Sequence, residues 1–316
     1  MNILIWHVHG SWTTAFVQGR HSYLLPVVPG RGPEGRGRAR TWDWPDSAVE
    51  ITPPELADHP VDAIVVQRPE DEDLAGKWLG GRRPGTDVPI IWLEHNAPQG
   101  RINDMRHPAA DRKDVAIVHV TPTNALFWDC GSTSSRVIQH GVIDPGYRYT
   151  GDLPRAGVAV NEPVRRGRVT GTDLLPQLAR SVPLDVFGMG VESLVAPGVT
   201  VHEDLPQDEL HEQLARRRVY LHPYRWTSLG LALVEAMMLG MPVVGLATTE
   251  VPHAVPPDAG IITNDVERLR RGLVELAADP ARAAACGRAA RAAAIERFAV
   301  GRFLAEWDDL LAEVAR

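Results

Sequence analysis

The sequence predicts an α/β protein with two doubly wound domains, each a parallel sheet covered by helices. Short apolar runs rich in Val and Ile recur along the chain, as in parallel strands buried on both faces. Segments with helical spacing or turn residues separate most of these runs, which indicates alternating strands and helices. The series occurs twice, and a length of 316 residues suits two hydrophobic cores better than one.

The first series begins at the N-terminus and predicts a Rossmann-like domain over residues 1–150. MNILIWHVHG is predicted to contain its first strand, because it lacks the basic segment and small-residue cleavage site of a signal peptide. The strand candidates are NILIWHV (2–8), VDAIVVQ (61–67), PIIWLEH (89–95), VAIVHV (115–120) and RVIQHG (136–141).

The second series predicts another Rossmann-like domain over residues 151–298, joined to the first through the turn-rich segment 144–157. Helices are predicted between most of its strands, and residues 299–316 carry apolar side chains at the spacing of a C-terminal helix. The strand candidates are GVAVNE (157–162), LDVFGMG (184–190), VTVHE (199–203), VYLHPY (219–224), PVVGLA (242–247) and GIITND (260–265).

Composition excludes several classes of function. A net charge of −7 argues against general attraction to nucleic acid, and no apolar run is long enough to span a bilayer. Two cysteines cannot form a disulfide framework or a Cys-based zinc site, so a reducing, cytoplasmic location is expected. His7 and His9 lie two apart at a strand end, but no metal-binding motif accompanies them and no metal site is predicted.

The segment PGRGPEGRGRAR, residues 29–40, allows two interpretations. It is either a mobile, solvated surface loop or a basic edge for an anionic acceptor or a membrane surface. Its composition alone does not decide between them.

Glu235 is the only charged residue between Arg225 and Glu250, and it interrupts an apolar run. Thr227 and Ser228 are suitable N-cap residues, so a buried helix is predicted from Leu229 until Gly240 ends it. Such a helix start after a strand favours phosphate, and Glu235 is expected about two turns behind it. A buried carboxylate needs a partner, which a pair of sugar hydroxyls or a buried Arg could supply.

The run TSLGLALVEAMMLGMPVV, residues 227–244, resembles the donor-site signature of retaining GT-B glycosyltransferases, in particular glycosyltransferase family 4 (glycosyl transferases group 1). The resemblance implies two Rossmann-like domains, with the C-terminal helix returning to the N-terminal domain. It covers the second half of the chain well and the first half in outline. The matching residues are Gly230, Leu231, Glu235, Ala236, Met237, Gly240, Pro242, Val243 and Val244.

The resemblance implies a donor site in the second domain. Glu235 corresponds to the Glu that holds the ribose of the nucleotide sugar, and Gly188 is expected to line the nucleotide pocket. The backbone N–H groups facing the diphosphate and donor sugar would be those of Ser228, Leu229, Gly230 and Leu231. The candidates for neutralising the diphosphate are Arg165, Arg166 and Arg168, and a solvated turn is the alternative for all three.

The resemblance also implies functional residues in the first domain. His95, at the end of WLEHNAP, is a catalytic candidate near the transferred sugar. In HVHGSW, Gly10 would let the backbone approach the donor, while His9, Ser11 and Trp12 would face the acceptor. One departure is Thr227, which replaces the first Glu of the signature and leaves the sugar identity open.

The implied reaction is metal-independent hexosyl transfer, with retention, from a nucleotide-diphosphate sugar that serves as co-substrate without a further cofactor. The acceptor would be a small molecule, a glycan or a lipid-linked compound, and not a nucleic acid; peripheral contact with a membrane stays open. Two alternatives remain. One is a nucleotide-sugar epimerase of the same fold, and the other is a catalytically weak nucleotide-sugar-binding partner subunit, which the Thr227 replacement favours.

Overall fold

A computed structural model describes residues 1–40 and 42–315. The chain divides into two compact units. The first contains Met1–Gly141 together with the C-terminal helix Val300–Val314, and the second contains Val142–Ala299.

The first unit is built on a parallel sheet of seven strands within the described residues. Its strands are β1 (Asn2–Ile5), β2 (Ser22–Pro26), β3 (Ala48–Ile51), β4 (Ala63–Val66), β5 (Ile90–Glu94), β6 (Val115–His119) and β7 (Ser135–Val137). Its helices before the C-terminal one are α1 (Gly10–Phe16), α2 (Pro53–Asp58), α3 (Pro69–Trp78) and α4 (Pro122–Phe127). The strand order β3-β2-β1-β4-β5-β6-β7 reverses direction between β1 and β4. Ligands bind such sheets at the carboxyl ends of the strands beside that reversal.

The second unit repeats the arrangement with six parallel strands in the part of the chain described, in the order β10-β9-β8-β11-β12-β13. Its reversal point therefore lies between β8 and β11. The strands are β8 (Leu153–Ala159), β9 (Leu184–Gly188), β10 (Val199–Glu203), β11 (Arg217–His222), β12 (Val243–Gly245) and β13 (Gly260–Ile262). The helices are α5 (Pro163–Arg166), α6 (Leu175–Ala179), α7 (Gln207–Ala215), α8 (Leu231–Leu239), α9 (Val251–Ala254), α10 (Val266–Ala278) and α11 (Pro280–Phe298).

These two sheets confirm the predicted fold class, although β2 and β3 are absent from the predicted strands. β3 lies at the edge of the sheet, and its exposed Val49 removes the continuous apolar run that marked the other strands. β2 is more buried, but it is short and ends at Pro26, beside a Gly- and Arg-rich segment.

The C-terminal helix, α12 (Val300–Val314), contributes large side chains to the core of the first unit. The rings of Phe303 and Trp307 meet Trp12 edge to face, with centroids 5.7 and 5.5 Å apart. Trp307 also contacts Phe16, at 4.9 Å. The helix thus returns to the first unit, as predicted. The predicted segment 299–316 ends at Arg316, which lies outside the described residues.

The same aromatic cluster corrects the prediction for Trp12. Its side chain is 0% exposed and lies against Phe16 as well as the two rings of α12. A residue that fills the core in this way cannot face an acceptor, so Trp12 is structural.

The segment 29–40 is folded against the first unit. Arg31 makes a two-point ion pair with Glu50, at 2.7 and 2.9 Å, and Glu50 also accepts the Arg38 backbone N–H. The Arg38 guanidinium donates to the carbonyls of Pro45 and Ala48. The segment is therefore not the mobile loop of the first interpretation, since Arg31 is held by an ion pair and Arg38 by backbone carbonyls of the same unit.

Candidate active site

α8 forms because its side chains are almost all apolar and bury on every side. Gly230 is the N-cap, so the helix begins at Leu231 rather than at the predicted Leu229, and Thr227 and Ser228 belong to the preceding turn. Gly240 ends the helix in the left-handed region, at φ +93°. Glu235 is consequently the fifth helical residue. It lies about one turn, ~6 Å, behind the helix start instead of two.

Glu235 is 8% exposed, and its carboxylate is held by side chains of α7. Its Oε2 atom accepts a hydrogen bond from Gln207 Nε2 at 3.1 Å and lies 3.3 Å from His211 Nε2. The two α7 side chains are in turn 2.8 Å apart. Among the described residues no Arg pairs with Glu235, so the buried-Arg partner considered above is wrong.

The turn after β8 brings the three arginine candidates next to the end of β11. Gly171 makes this possible: it adopts φ +72°, and a Cβ there would lie 2.0 Å from the Pro223 carbonyl oxygen. The backbone N–H groups of Arg225 and Trp226 donate to the Val169 carbonyl. The arginine segment and the segment before α8 therefore lie side by side, and their predicted contact with a diphosphate stays a prediction.

The three arginines have different surroundings. Arg168 pairs with Asp173 at 3.0 Å, and Asp173 also binds Arg225 through two hydrogen bonds. These contacts lower the pKa of Asp173, chiefly through the bonds from Arg225. Arg165 is largely exposed, and its Nε atom is 3.6 Å from Glu162.

Arg166 lies over an aromatic stack instead of a carboxylate. Its guanidinium carbon is 5.5 Å from the centroid of the Tyr224 ring. Tyr224 stacks on His222 with centroids 4.6 Å apart, and a Cβ on Gly230 would approach the His222 ring to 2.9 Å. The stack thus connects Arg166 to the residue that caps α8.

His222 is fully buried, and neither of its ring nitrogens has a hydrogen-bond partner among the described residues. Burial lowers the pKa of His222 to about 3, so the imidazole beneath Gly230 is neutral. His222 therefore carries no positive charge that could attract a phosphate to this helix start. Arg166 is the residue of the stack that supplies a positive charge.

The glycine-rich turn after β9 does not offer its N–H groups to a ligand. Gly190 and Val191 donate to the two carboxylate oxygens of Glu203, at 2.7 and 2.8 Å. Gly188 has φ +142°, and a Cβ there would lie 2.1 Å from the Val160 carbonyl oxygen. Gly188 is thus needed for close strand packing, and its predicted contact with a nucleotide stays a prediction.

In the first unit, His95 joins a cluster of histidines at the carboxyl ends of β1 and β5. Its ring is 4.0 Å from that of His9 and 6.2 Å from that of His140. Gln67 donates to the Trp6 carbonyl at 2.7 Å, which leaves its Oε1 to accept from His95 Nε2 at 3.1 Å.

All three histidines of this cluster are neutral at pH 7. Burial is the main cause: it lowers the pKa of His9 to about 4 and that of His140 to about 3. The pKa of His95 lies well below its usual value because of burial and the neighbouring His9 and His140. A neutral His95 whose Nε2 donates to Gln67 suits a polar contact and not a charge.

Of the remaining predicted residues, Gly10 and Ser11 open α1 directly after His9. A Cβ on Gly10 would approach other atoms no closer than 3.8 Å, so the chain itself does not require glycine there. His7 packs on Trp44, and its Nδ1 atom lies 3.2 Å from the Gly37 carbonyl oxygen.

Sequence reasoning missed His211 and Gln207. They lie four apart on α7 and share one face, a spacing visible in the sequence, but their partner Glu235 is 24 residues further along. In the described part of the chain no three His, Cys, Asp or Glu side chains are placed to hold a metal ion. Within residues 1–40 and 42–315, no helix is both long and apolar enough to cross a membrane.

Residues 192–293 match the model of a family described as glycosyl transferases group 1. The predicted resemblance to glycosyl transferases group 1 is confirmed, while retention stays a prediction. The match lies within the second unit and includes α7 and α8, which carry Glu235 and its partners. No curated protein sequence matches the chain.

Solved glycosyltransferase structures share the whole architecture, which is the GT-B fold. Sucrose-phosphate synthase of Thermosynechococcus elongatus superposes with a TM-score of 0.74 at 13% identity, over 99% of this chain and 98% of that one. Anabaena HepE, solved with UDP and glucose, superposes with a TM-score of 0.71 at 13% identity, over 99% of this chain and 100% of that one. WaaG, a glycosyltransferase involved in lipopolysaccharide biosynthesis, gives 0.66 at 15% identity, over 98% and 99%. At these identities the likeness concerns the fold alone.

Proposed function

We propose that the protein is a glycosyltransferase that moves a hexosyl group from a nucleotide-diphosphate sugar to an acceptor hydroxyl, with retention of configuration. The family match of the second unit supports the reaction class. The observation that carries the proposal is Glu235, a buried carboxylate next to a helix start, held by Gln207 and His211 and not by an arginine.

The donor would bind at the carboxyl ends of β8 and β11. Gln207 and His211 contact only one oxygen of Glu235, so the other can accept hydrogen bonds from ribose hydroxyls. The N–H groups of Gly230 and Leu231 begin α8 and favour the diphosphate. Arg166, which has no carboxylate bound to it among the contacts described, is the arginine best placed to neutralise it.

The reaction would break the bond between the sugar C1 and the diphosphate oxygen and form one from C1 to the acceptor oxygen on the same face. The acceptor proton passes to the departing phosphate oxygen. Positive charge at Arg166 and the helix start would stabilise the leaving diphosphate, without a metal or a further cofactor in this proposal. His95 is proposed to contact the transferred sugar as a neutral imidazole.

A nucleoside-diphosphate screen tests the donor site. UDP, GDP and ADP are compared by thermal shift, and at least one should raise the unfolding midpoint, because a ligand that binds only the folded state stabilises it. Glu235→Ala should abolish the shift, while Glu212→Ala, an exposed acid on α7, should leave it unchanged. An unchanged affinity in Glu235→Ala would contradict this placement of the donor.

Turnover separates the proposal from its alternatives. A transferase should slowly hydrolyse its nucleotide sugar to free sugar, and early NMR spectra should show the anomer of the donor if configuration is retained. EDTA should leave the rate unchanged. Interconversion of nucleotide sugars would indicate the epimerase. Binding without turnover would indicate the silent partner subunit, which the Thr227 replacement favours.

A further inference from the structure

A cavity of about 580 Å³ opens in the first unit at the carboxyl ends of β4 and β5. Its size falls within the range of about 300–1,000 Å³ that is usual for small-ligand sites. The side chains that define its chemistry are Gln67, Arg68, Glu70, Trp92, Glu94 and Trp128. Gln67 also bonds His95, so the cavity adjoins the histidine cluster. None of these residues belongs to the acceptor contacts predicted from the sequence.

Glu94 is a buried carboxylate in the wall of this cavity, and it is 7% exposed. Its Oε1 accepts the Asn96 backbone N–H at 2.6 Å, and its Oε2 lies 3.2 Å from His107 Nε2. His107 Nδ1 accepts the Ala109 backbone N–H at 3.0 Å, so Nε2 is the ring nitrogen that can donate to Glu94. Each carboxylate oxygen of Glu94 thus has one partner within the unit and can still accept from a ligand.

The positive charge of Arg68 is compensated by the carboxylate of Asp71. Its Nε atom donates to Asp71 at 3.0 Å, and Asp71 is fully buried and also accepts the backbone N–H groups of Gln67 and Arg68. The cavity wall thus contains one arginine that is already paired and two further carboxylates, Glu70 and Glu94. Its electrostatics repel anions and favour hydroxyl and ammonium donors.

Two indoles complete the wall. Trp128 donates its Nε1–H to the Asn96 carbonyl at 2.9 Å, which fixes the ring and leaves its face, not its polar edge, available for packing. Trp92 is buried beside it, and the His107 ring contacts both indoles edge to face, at 5.1 and 5.2 Å. A rigid aromatic face next to oriented carboxylate and amide acceptors suits a ligand with an apolar C–H face and many hydroxyls.

We propose that this cavity binds the acceptor, and that the acceptor is a sugar or sugar-like alcohol whose charged group, if any, is an amine and not an acid. This assignment rests on the proposed glycosyl transfer. It names a substrate class that neither the fold nor the matched region specifies, since residues 192–293 lie outside the first unit.

Saturation-transfer NMR titrations of the full-length protein with glucosamine, glucose and glucuronate test this assignment at pH 7. Glucosamine should bind most tightly and glucuronate most weakly. An exposed carboxylate such as Glu70 changes the affinity of a charged ligand by up to about fivefold. Glu94 acts in the same direction, so the two extremes should differ by about tenfold or more. Equal affinities for glucosamine and glucuronate, or no saturable binding of any probe, would overturn it.

Substitutions in the cavity wall test whether the preference for glucosamine over glucuronate arises there. Glu94→Gln keeps the shape of the side chain and should lower the preference for glucosamine over glucuronate about fivefold. Glu70→Gln changes an exposed residue, so folding is not at risk, and should act in the same direction. Trp128→Ala should weaken all three probes. Asp73→Asn, also on α3 but outside the cavity, is the matched control, and a similar loss of preference there would contradict the site.

These titrations need no nucleotide. Their failure, with a normal thermal shift from a nucleoside diphosphate, would overturn the acceptor class and leave the donor site intact. Saturable binding of glucosamine without any nucleotide effect would instead count against the proposed transfer.

Discussion

At the scale of single residues, Glu235 shows how a buried charge is kept in a defined position. Two α7 side chains contact the same carboxylate oxygen, and the carboxylate is almost fully buried. A buried acid that accepts a hydrogen bond from Gln207, whose amide is in turn 2.8 Å from the His211 ring, has lost part of its rotational freedom before a ligand arrives. His211 and Gln207 are therefore positioning residues in the proposed donor site, since they act through Glu235.

We expect His211→Phe to weaken nucleoside-diphosphate binding about tenfold, ~1.4 kcal/mol, because Gln207 loses the partner that orients its hydrogen bond to the Glu235 carboxylate. The loss should appear by calorimetry with the ribonucleotide and disappear with its 2′-deoxy counterpart, because Glu235 contacts the ribose. His211→Gln should restore part of the affinity, and Glu209→Gln, exposed on the same helix, should have no effect. Equal losses with both nucleotides would mean that His211 only stabilises the fold.

At the scale of secondary-structure elements, the sequence predicts those helix ends that depend only on neighbouring residues. Gly240 and Pro242 mark the end of α8 in the sequence because a left-handed glycine and a residue without an N–H end helices in any context. The predicted start of α8 is two residues too early, because Gly230 is the N-cap and Thr227 and Ser228 lie in the segment before it. Thr, Ser and Gly are all accepted at an N-cap, so no local pattern distinguishes among them.

The candidate site also combines residues that stand out in their own stretch of sequence with residues whose role depends on distant partners. Glu235 and the arginine segment were predictable because each stands out within its own stretch of sequence. The choice of Arg166 was not, because it depends on Tyr224, 58 positions away in the chain, and on the competing ion pair of Arg168 with Asp173. The acidic cavity beside β5 was also missed, since Glu94 and Trp128 meet only in the folded first unit.

Gly188 and Gly10 differ in whether the fold itself requires glycine. Gly188→Ala should destabilise the second unit by more than about 1 kcal/mol, because alanine at φ +142° is strained and its Cβ would overlap the Val160 carbonyl. Gly10→Ala should leave stability unchanged or raise it by up to ~1 kcal/mol, because Gly10 lies in helix α1 with free space around it. Urea unfolding measures both changes. If Gly10→Ala nevertheless lowers turnover, its predicted approach to the donor gains support.

At the scale of the whole molecule, the first unit is completed only by the last part of the chain. Residues 1–141 supply the sheet, whereas Phe303 and Trp307 of α12 supply large rings that bury Trp12 and Phe16. Without α12 these aromatic side chains would lose their partners and the core would contain a cavity. The first unit therefore reaches its final packing after the second unit's sequence has been made.

Trp307→Ala tests this dependence. Removing a side chain that is 1% exposed should destabilise the first unit by about 3–5 kcal/mol. Because unfolding of two units need not be two-state, hydrogen exchange followed by peptide is the appropriate measurement. Peptides from α1 and β2 should exchange faster, and peptides from α8 and β11 should keep their protection. Asp309→Ala, exposed on the same helix, should change stability by no more than about 0.5 kcal/mol. Equal loss of protection in both units would show that α12 stabilises the chain as a whole and not the core of the first unit.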